Sequence, residues 1–155
     1  MSGILCVHQA SGIPQDLARY QSALRRLAHR GSNREGSELR PDEFLGVRQS
    51  PEGREGPGQP LIGADGQVIV GFDGHLHNRG ELVHELKAKG FRADCSTDPA
   101  IALALYIAFG RRGLERLRGV WVVALWDARS RRLLVGRDPL GVRPLYYYQI
   151  GRAHV

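Results

Sequence analysis

Beyond Gly119 the sequence changes period. Val120 to Asp127, Arg132 to Arg137 and Pro144 to Tyr148 read as three strands, joined by the turn at residues 128–131 and by Asp138-Pro139-Leu140-Gly141. The stretch before them has helical spacing. Asp98-Pro99 opens a helix that runs through Phe109, and Leu114 with Leu117 marks a short one after it. The longest apolar runs, Ile101 to Phe109 and Val120 to Trp126, fall well short of the ~20 residues that span a bilayer. A transmembrane helix is therefore excluded.

Ile4 to His8 suits a buried strand, and Gly12-Ile13-Pro14 punctuates the chain before a first helix, whose Leu17, Tyr20, Leu24, Leu27 and Ala28 share one face up to Gly31. From Ser32 to Pro60 the chain turns polar, so a loop-rich stretch is expected with only Phe44 to Arg48 as a strand. Ala64-Asp65-Gly66 leads into a strand over Gln67 to Phe72 that ends at Asp73-Gly74. A second helix follows, with Asn78 and Glu81 as a capping-box-like start, Leu82, Val83 and Leu86 as its apolar stripe, and Gly90 as its stop.

With 155 residues, 42% hydrophobic and 25% charged, the chain has the size and balance of one globular domain that needs no disulfide or metal for its core. Its formal charge of +6 invites a nucleic-acid reading. Against that, all basic residues except Lys87 and Lys89 are arginines scattered along the chain without interleaved aromatics. Nucleic acid is not the expected partner, nor is a membrane. Met1 to Val7 lacks the basic and apolar regions of a secretory signal, and with only Cys6 and Cys95 a reducing cytoplasm is the expected location. His8, His75 and His77 share no ligand-like spacing with a cysteine or carboxylate, so no metal site is expected.

Several motifs in order resemble those of the N-terminal class II glutamine amidotransferase domain of the asparagine synthetase family, within the N-terminal-nucleophile hydrolase superfamily. They are Ser2-Gly3-Ile4, His29-Arg30-Gly31, Leu45 to Arg48, Gln59-Pro60-Leu61, Phe72 to Asn78 and Thr97-Asp98. After them come Leu117-Arg118-Gly119, Ala124-Leu125-Trp126-Asp127, Gly136-Arg137-Asp138-Pro139-Leu140-Gly141 and Pro144-Leu145-Tyr146-Tyr147. The resemblance implies an α+β fold, a four-layer αββα sandwich whose C-terminal part is truncated here. It also implies glutamine as substrate, with ammonia passed to a synthetase domain of the same chain that uses ATP and magnesium. No cofactor is implied for the present stretch.

In that family the nucleophile is a cysteine exposed as the first residue after Met removal, and its own α-amino group is the base, which is feasible because such an amine titrates near ~7.7–8.0. Here the position is Ser2, a weaker nucleophile. The family pattern Asn-Gly-Glu-Ile-Tyr-Asn stands as Asp73-Gly74-His75-Leu76-His77-Asn78. The family's Asn donates to the oxyanion, and losing one such donor typically costs ~2.7 to 4 kcal/mol of barrier. An ionised Asp73 cannot donate, and it would repel the developing charge by about 4 kcal/mol at contact with an effective dielectric of 20. Gly74 could still offer its backbone N–H as an oxyanion contact. His75 replaces the Glu that holds the substrate ammonium.

Two substrate contacts survive in the resemblance. Arg48, eleven residues before Gln59, stands where the family clamps the substrate carboxylate, and Asp98 stands where an acid meets the ammonium. The bland readings remain open beside these: Arg48 as a surface charge, Asp98 as a helix N-cap, Ser2 as a small residue that permits Met removal. Cys6 lies inside the chain, where its nitrogen is an amide, and is not a nucleophile candidate. Trp121 and Trp126 are expected in the core.

Ser2, Asp73 and His75 depart together, which implies that glutamine hydrolysis is lost and the role is structural, as in the degenerate lasso-peptide cyclase-like branch. The alternatives are a serine-dependent glutaminase that feeds ammonia to asparagine synthesis and, less favoured, a basic nucleic-acid-binding domain. The domain is expected to occupy residues 1–149 and to be incomplete. Ile150-Gly151-Arg152-Ala153-His154-Val155 matches the translation of a sequencing-adapter read-through, ATC GGA AGA GCA CAC GTC, and is read as an artefact.

Overall fold

A computed structural model of the chain describes residues 2–9, 11–14, 16–32, 34–50, 58–92 and 94–149. The tail read as an adapter artefact, 150–155, lies outside the described residues.

The described residues form two antiparallel sheets. The first contains β1 (Gly3–His8), β2 (Arg34–Arg40) and β3 (Glu43–Gln49) in the order β1-β3-β2. The second contains β4 (Leu61–Ile62), β5 (Val68–Leu76), β6 (Gly119–Asp127) and β7 (Arg132–Arg137) in sequence order. Helix α1 (Leu17–Arg25) packs on the first sheet through Tyr20 and Leu24 against Phe44. Helices α2 (Arg79–Ala88) and α3 (Asp98–Phe109) pack on the second through Leu82, Leu86, Ile101 and Leu105, and the short α4 (Arg111–Leu114) follows. Between the sheets lie Leu45, Ile69, Ala124 and Trp126, with Ile4 and Cys6 against them. The layers therefore run helix, sheet, sheet, helix, which is the αββα arrangement expected from the sequence.

The two-residue period of β5 divides its side chains between these layers. Val68, Val70, Phe72 and Leu76 join the helix-side core, while Ile69 joins the inter-sheet core. Gly71 lies on the inter-sheet side, where a Cβ would come 2.9 Å from Val47 Cγ2, so the absence of a side chain lets the sheets approach. Each fully buried Leu, Ile or Phe in these seams contributes about 1.5–3 kcal/mol by leaving water. Trp121 and Trp126 are buried, as expected.

Several sequence expectations need correction. The first helix ends at Arg25, short of Gly31, and the short helix after α3 ends at Leu114, leaving Leu117 beyond it. The polar stretch after Ser32 contains the seven-residue strand β2, whose sequence REGSELR carries no apolar alternation; it forms because its backbone pairs along β3 at the sheet edge. The strand expected to end at Asp73-Gly74 continues to Leu76, because β6 pairs with it residue for residue as far as Leu76 opposite Gly119. No strand forms over Pro144 to Tyr148; the three tyrosines are 84–90% exposed. Asn78 is the N-cap of α2 in position but not in chemistry: its side chain donates to the Arg116 carbonyl and accepts from Arg118 N, tying α2 to the segment before β6.

Candidate active site

Ser2 precedes β1, and Asp73 sits near the end of β5, so the site lies where the two sheets meet at one end. The Ser2 backbone N–H donates to Asp73 Oδ1 at 2.7 Å. The Ser2 hydroxyl accepts from Ser50 N at 3.3 Å, and its carbonyl accepts from Arg30 Nε at 3.3 Å. Thus the residue at the family's nucleophile position is held on three sides.

Asp73 is 4% exposed, and its Oδ2 accepts no hydrogen bond from the described residues. Arg143 brings its Nη1 to 3.6 Å from that oxygen. Asp138 places this arginine: its carboxylate accepts from Val142 N and Arg143 N at 3.1 and 3.2 Å, and its own N–H donates to the Trp121 carbonyl. Burial pushes the Asp138 carboxyl upward, but the backbone N–H donors outweigh it and hold the group below the usual carboxylate range. Gly74 pairs with Trp121 at φ +136, and a Cβ there would lie 2.0 Å from the Val120 carbonyl oxygen. Only glycine fits that position.

Arg48 is opposite Gly3 in the β1–β3 ladder, one residue from Ser2. Its Nη1 meets Glu35 Oε2 at 2.5 Å, and its Nε donates to the Gly31 carbonyl at 2.8 Å. The group that the resemblance assigns to a substrate carboxylate thus already carries a carboxylate of its own chain, from β2.

Asp98 shows the same pattern. Its Oδ1 pairs with Arg79 Nη1 at 2.6 Å, and its Oδ2 accepts from Leu76 N at 3.1 Å. Arg79 also donates to the carbonyls of Cys95 and Ser96. The N-cap of α3 is Thr97, whose hydroxyl accepts from Ala100 N, so the N-cap reading of Asp98 is corrected: it is the first residue inside the helix. His75 is largely exposed, with Nδ1 3.9 Å from Asp98 Oδ2.

The structure therefore brings Ser2 and Asp73 into direct contact, sets Arg48 beside them, and groups His75 with Asp98. Sequence reasoning missed Arg143, Glu35 and Arg79, the charges that answer Asp73, Arg48 and Asp98. Arg143 follows the Asp138-Pro139-Leu140-Gly141 turn and was within reach of a motif-based reading. Glu35 and Arg79 gave no signal, because their pairings span 13 and 19 residues of sequence.

Cys6 is no rival nucleophile. Burial, then the charge of Glu43, then a hydrogen bond to Glu43 all push its thiol far above the ordinary range. Among the described residues, no three His, Cys, Asp or Glu side chains gather in a way that could hold a metal ion, so the residues present do not fit magnesium. No helix of the described residues is long and apolar enough to cross a membrane.

Comparison with known proteins agrees with this architecture. A family of glutamine amidotransferase domains matches residues 1–155. The glutamine-hydrolyzing asparagine synthetase 1 of Bacillus subtilis (strain 168) is 34% identical over 127 residues, covering 80% of this chain and 20% of its own length. The glutamine-hydrolyzing asparagine synthetase 2 of Lotus japonicus is 34% identical over 148 residues, covering 94% of this chain and 25% of its own. Among solved structures, glutamine phosphoribosylpyrophosphate amidotransferase from B. subtilis, complexed with ADP and GMP, superposes with a TM-score of 0.55 at 21% identity, over 68% of this chain and 25% of that one. That likeness supports the α+β sandwich. The chain spans about a fifth to a quarter of the length of these curated relatives.

Proposed function

We infer the function from one premise: the chain belongs to the glutamine amidotransferase domain family, in the class II branch that it shares with the asparagine synthetases. It is the N-terminal amidotransferase domain of an asparagine synthetase-like protein. The proposal is that this domain no longer hydrolyses glutamine and serves as a packing partner for an ATP- and magnesium-dependent amide-forming domain of the same protein, in the cytoplasm.

The observation that carries this reading is the 2.7 Å contact between Ser2 N and Asp73 Oδ1. By resemblance, residue 73 should donate a hydrogen bond to a developing oxyanion. A buried carboxylate there has no proton to donate when ionised and repels that charge. The neighbouring charges support the same conclusion. Glu35 neutralises Arg48 and Arg79 neutralises Asp98, so the two groups that would recognise the carboxylate and ammonium of glutamine are already satisfied.

The test is glutamate release by the full-length protein supplied with glutamine, ATP and magnesium, with Ser2→Ala as control. Release at the same background level in both is expected. Release that disappears in the Ser2→Ala variant would establish the serine-dependent glutaminase instead.

A further inference from the structure

The contact between Ser2 and Asp73 crosses from the first sheet to the second. It is an uneven contact as it stands. A carboxylate that is 4% exposed receives one neutral N–H at 2.7 Å on Oδ1 and, among the described residues, no hydrogen bond on Oδ2. Burying a carboxylate is costly unless an opposite charge and further donors compensate it, and charge-assisted hydrogen bonds are roughly twice as strong as neutral ones. Arg143, at 3.6 Å from Oδ2, lies beyond hydrogen-bond reach.

One covalent change would correct the imbalance. Ser2 is small enough for a methionine-specific aminopeptidase to remove Met1. Water hydrolyses the Met1–Ser2 peptide bond, methionine leaves with its new carboxylate, and the Ser2 nitrogen gains protons to become an α-ammonium with three donors. We propose that, once Met1 has been removed as in the family it resembles, Asp73 is the counter-ion of the Ser2 ammonium, an ion pair that ties the two sheets together and withholds the amine from proton transfer. This deepens the reading above and rests on it, because an amine held by a carboxylate is a poor base for a hydroxyl nucleophile.

Among the described residues, the other charges around the amine are engaged elsewhere. Arg30, after α1, donates to the Ser2 carbonyl. Arg48 on β3 is paired with Glu35 on β2. Arg143, after β7, faces Asp73 itself. Asp73 on β5 is the carboxylate that contacts the Ser2 nitrogen.

The test is read on the amine, not on glutamate, so this inference and the previous one can fail separately. Intact mass of the purified full-length protein should lack Met1; retention of Met1 would overturn the proposal. The pH profile of Ser2 α-amine acetylation is then followed by peptide mass in wild type and in Asp73→Asn. A facing carboxylate favours the ammonium, so the wild-type midpoint should lie above the ordinary amine range, leaving about 10- to 100-fold less reactive amine near neutral pH than in the same protein unfolded in urea. Asp73→Asn should return the midpoint to the ordinary range. Restricted access would slow the reaction but leave its midpoint unmoved, so coincident midpoints in wild type and variant would refute the ion pair. If Asp73→Asn does not fold, a titration of nitrogen-15-labelled serine in the wild type decides, with native and urea-unfolded midpoints apart if the pair exists and together if it does not.

Discussion

Glu43 offers a quantitative test of how the first sheet is buried. It is the first residue of β3, sits opposite both His8 and Arg40, and is 1% exposed. Its Oε1 faces the Cys6 thiol at 3.7 Å, and its Oε2 accepts no hydrogen bond from the described residues. Burial pushes the carboxyl up to about 8; the Cys6 hydrogen bond and Arg40 pull it down, while Asp42 and Glu38 push it up. An unfolded glutamate titrates near ~4.3. Between these two values the native state keeps a proton that the unfolded state has lost, so this group's contribution to stability is fully present below ~4.3 and declines as pH rises. The slope is about 1.4 kcal/mol per pH unit, and it flattens once Glu43 ionises in the folded chain.

Glu43→Gln keeps the volume and removes the titration. Urea unfolding followed by the fluorescence of the buried Trp121 and Trp126, at pH values from 5 to 8, isolates the effect as the difference between the two proteins. Wild type should lose stability against the variant by about 1.4 kcal/mol per unit, reaching on the order of 4 kcal/mol by the top of that range. Parallel stability curves would show that water reaches the carboxylate and would refute the argument from burial.

Further substitutions probe the second sheet and the helices packed on it. Arg79→Met leaves Asp98 without its countercharge; because the pair is only partly buried, a loss of about 2–3 kcal/mol is expected in urea melts, and Arg79→Met with Asp98→Asn together should lose less than Arg79→Met alone. Gly74→Ala would place a Cβ 2.0 Å from the Val120 carbonyl at φ +136 and should cost at least about 3 kcal/mol, whereas Gly80→Ala, inside α2 with no atom within 4 Å, should stabilise by about 0.5–1 kcal/mol. Equal effects at the two glycines would contradict the close β5–β6 contact.

The sequence made the helices and apolar strands legible because each carries its period in its own residues. Asp98-Pro99 and the long apolar run after it placed α3 over Asp98–Phe109. β2 was invisible for the opposite reason: its order comes from pairing with β3, and its side chains carry no pattern. Asn78 misled because the same amide that could cap α2 finds better partners across 38 and 40 residues of chain. Around Ser2 the pairings were not readable. Ser2, Arg48, Asp73 and Asp98 could be marked from motif order, but Glu35, Arg79 and Arg143 reach them only through sheet register and chain reversal.

Gly71 acts as a spacer between layers whose thickness is one hydrogen atom. Because Val47 Cγ2, Ile4 Cγ2 and Leu45 Cδ1 crowd its missing side chain, a methyl group at that point would act as a wedge two residues from Asp73 along the same strand. A change with no charge and no catalytic group could in this way alter the register of Ser2 against β5. The chemistry at that end of the sandwich is therefore subject to mechanical tolerance as much as to the identity of its polar residues.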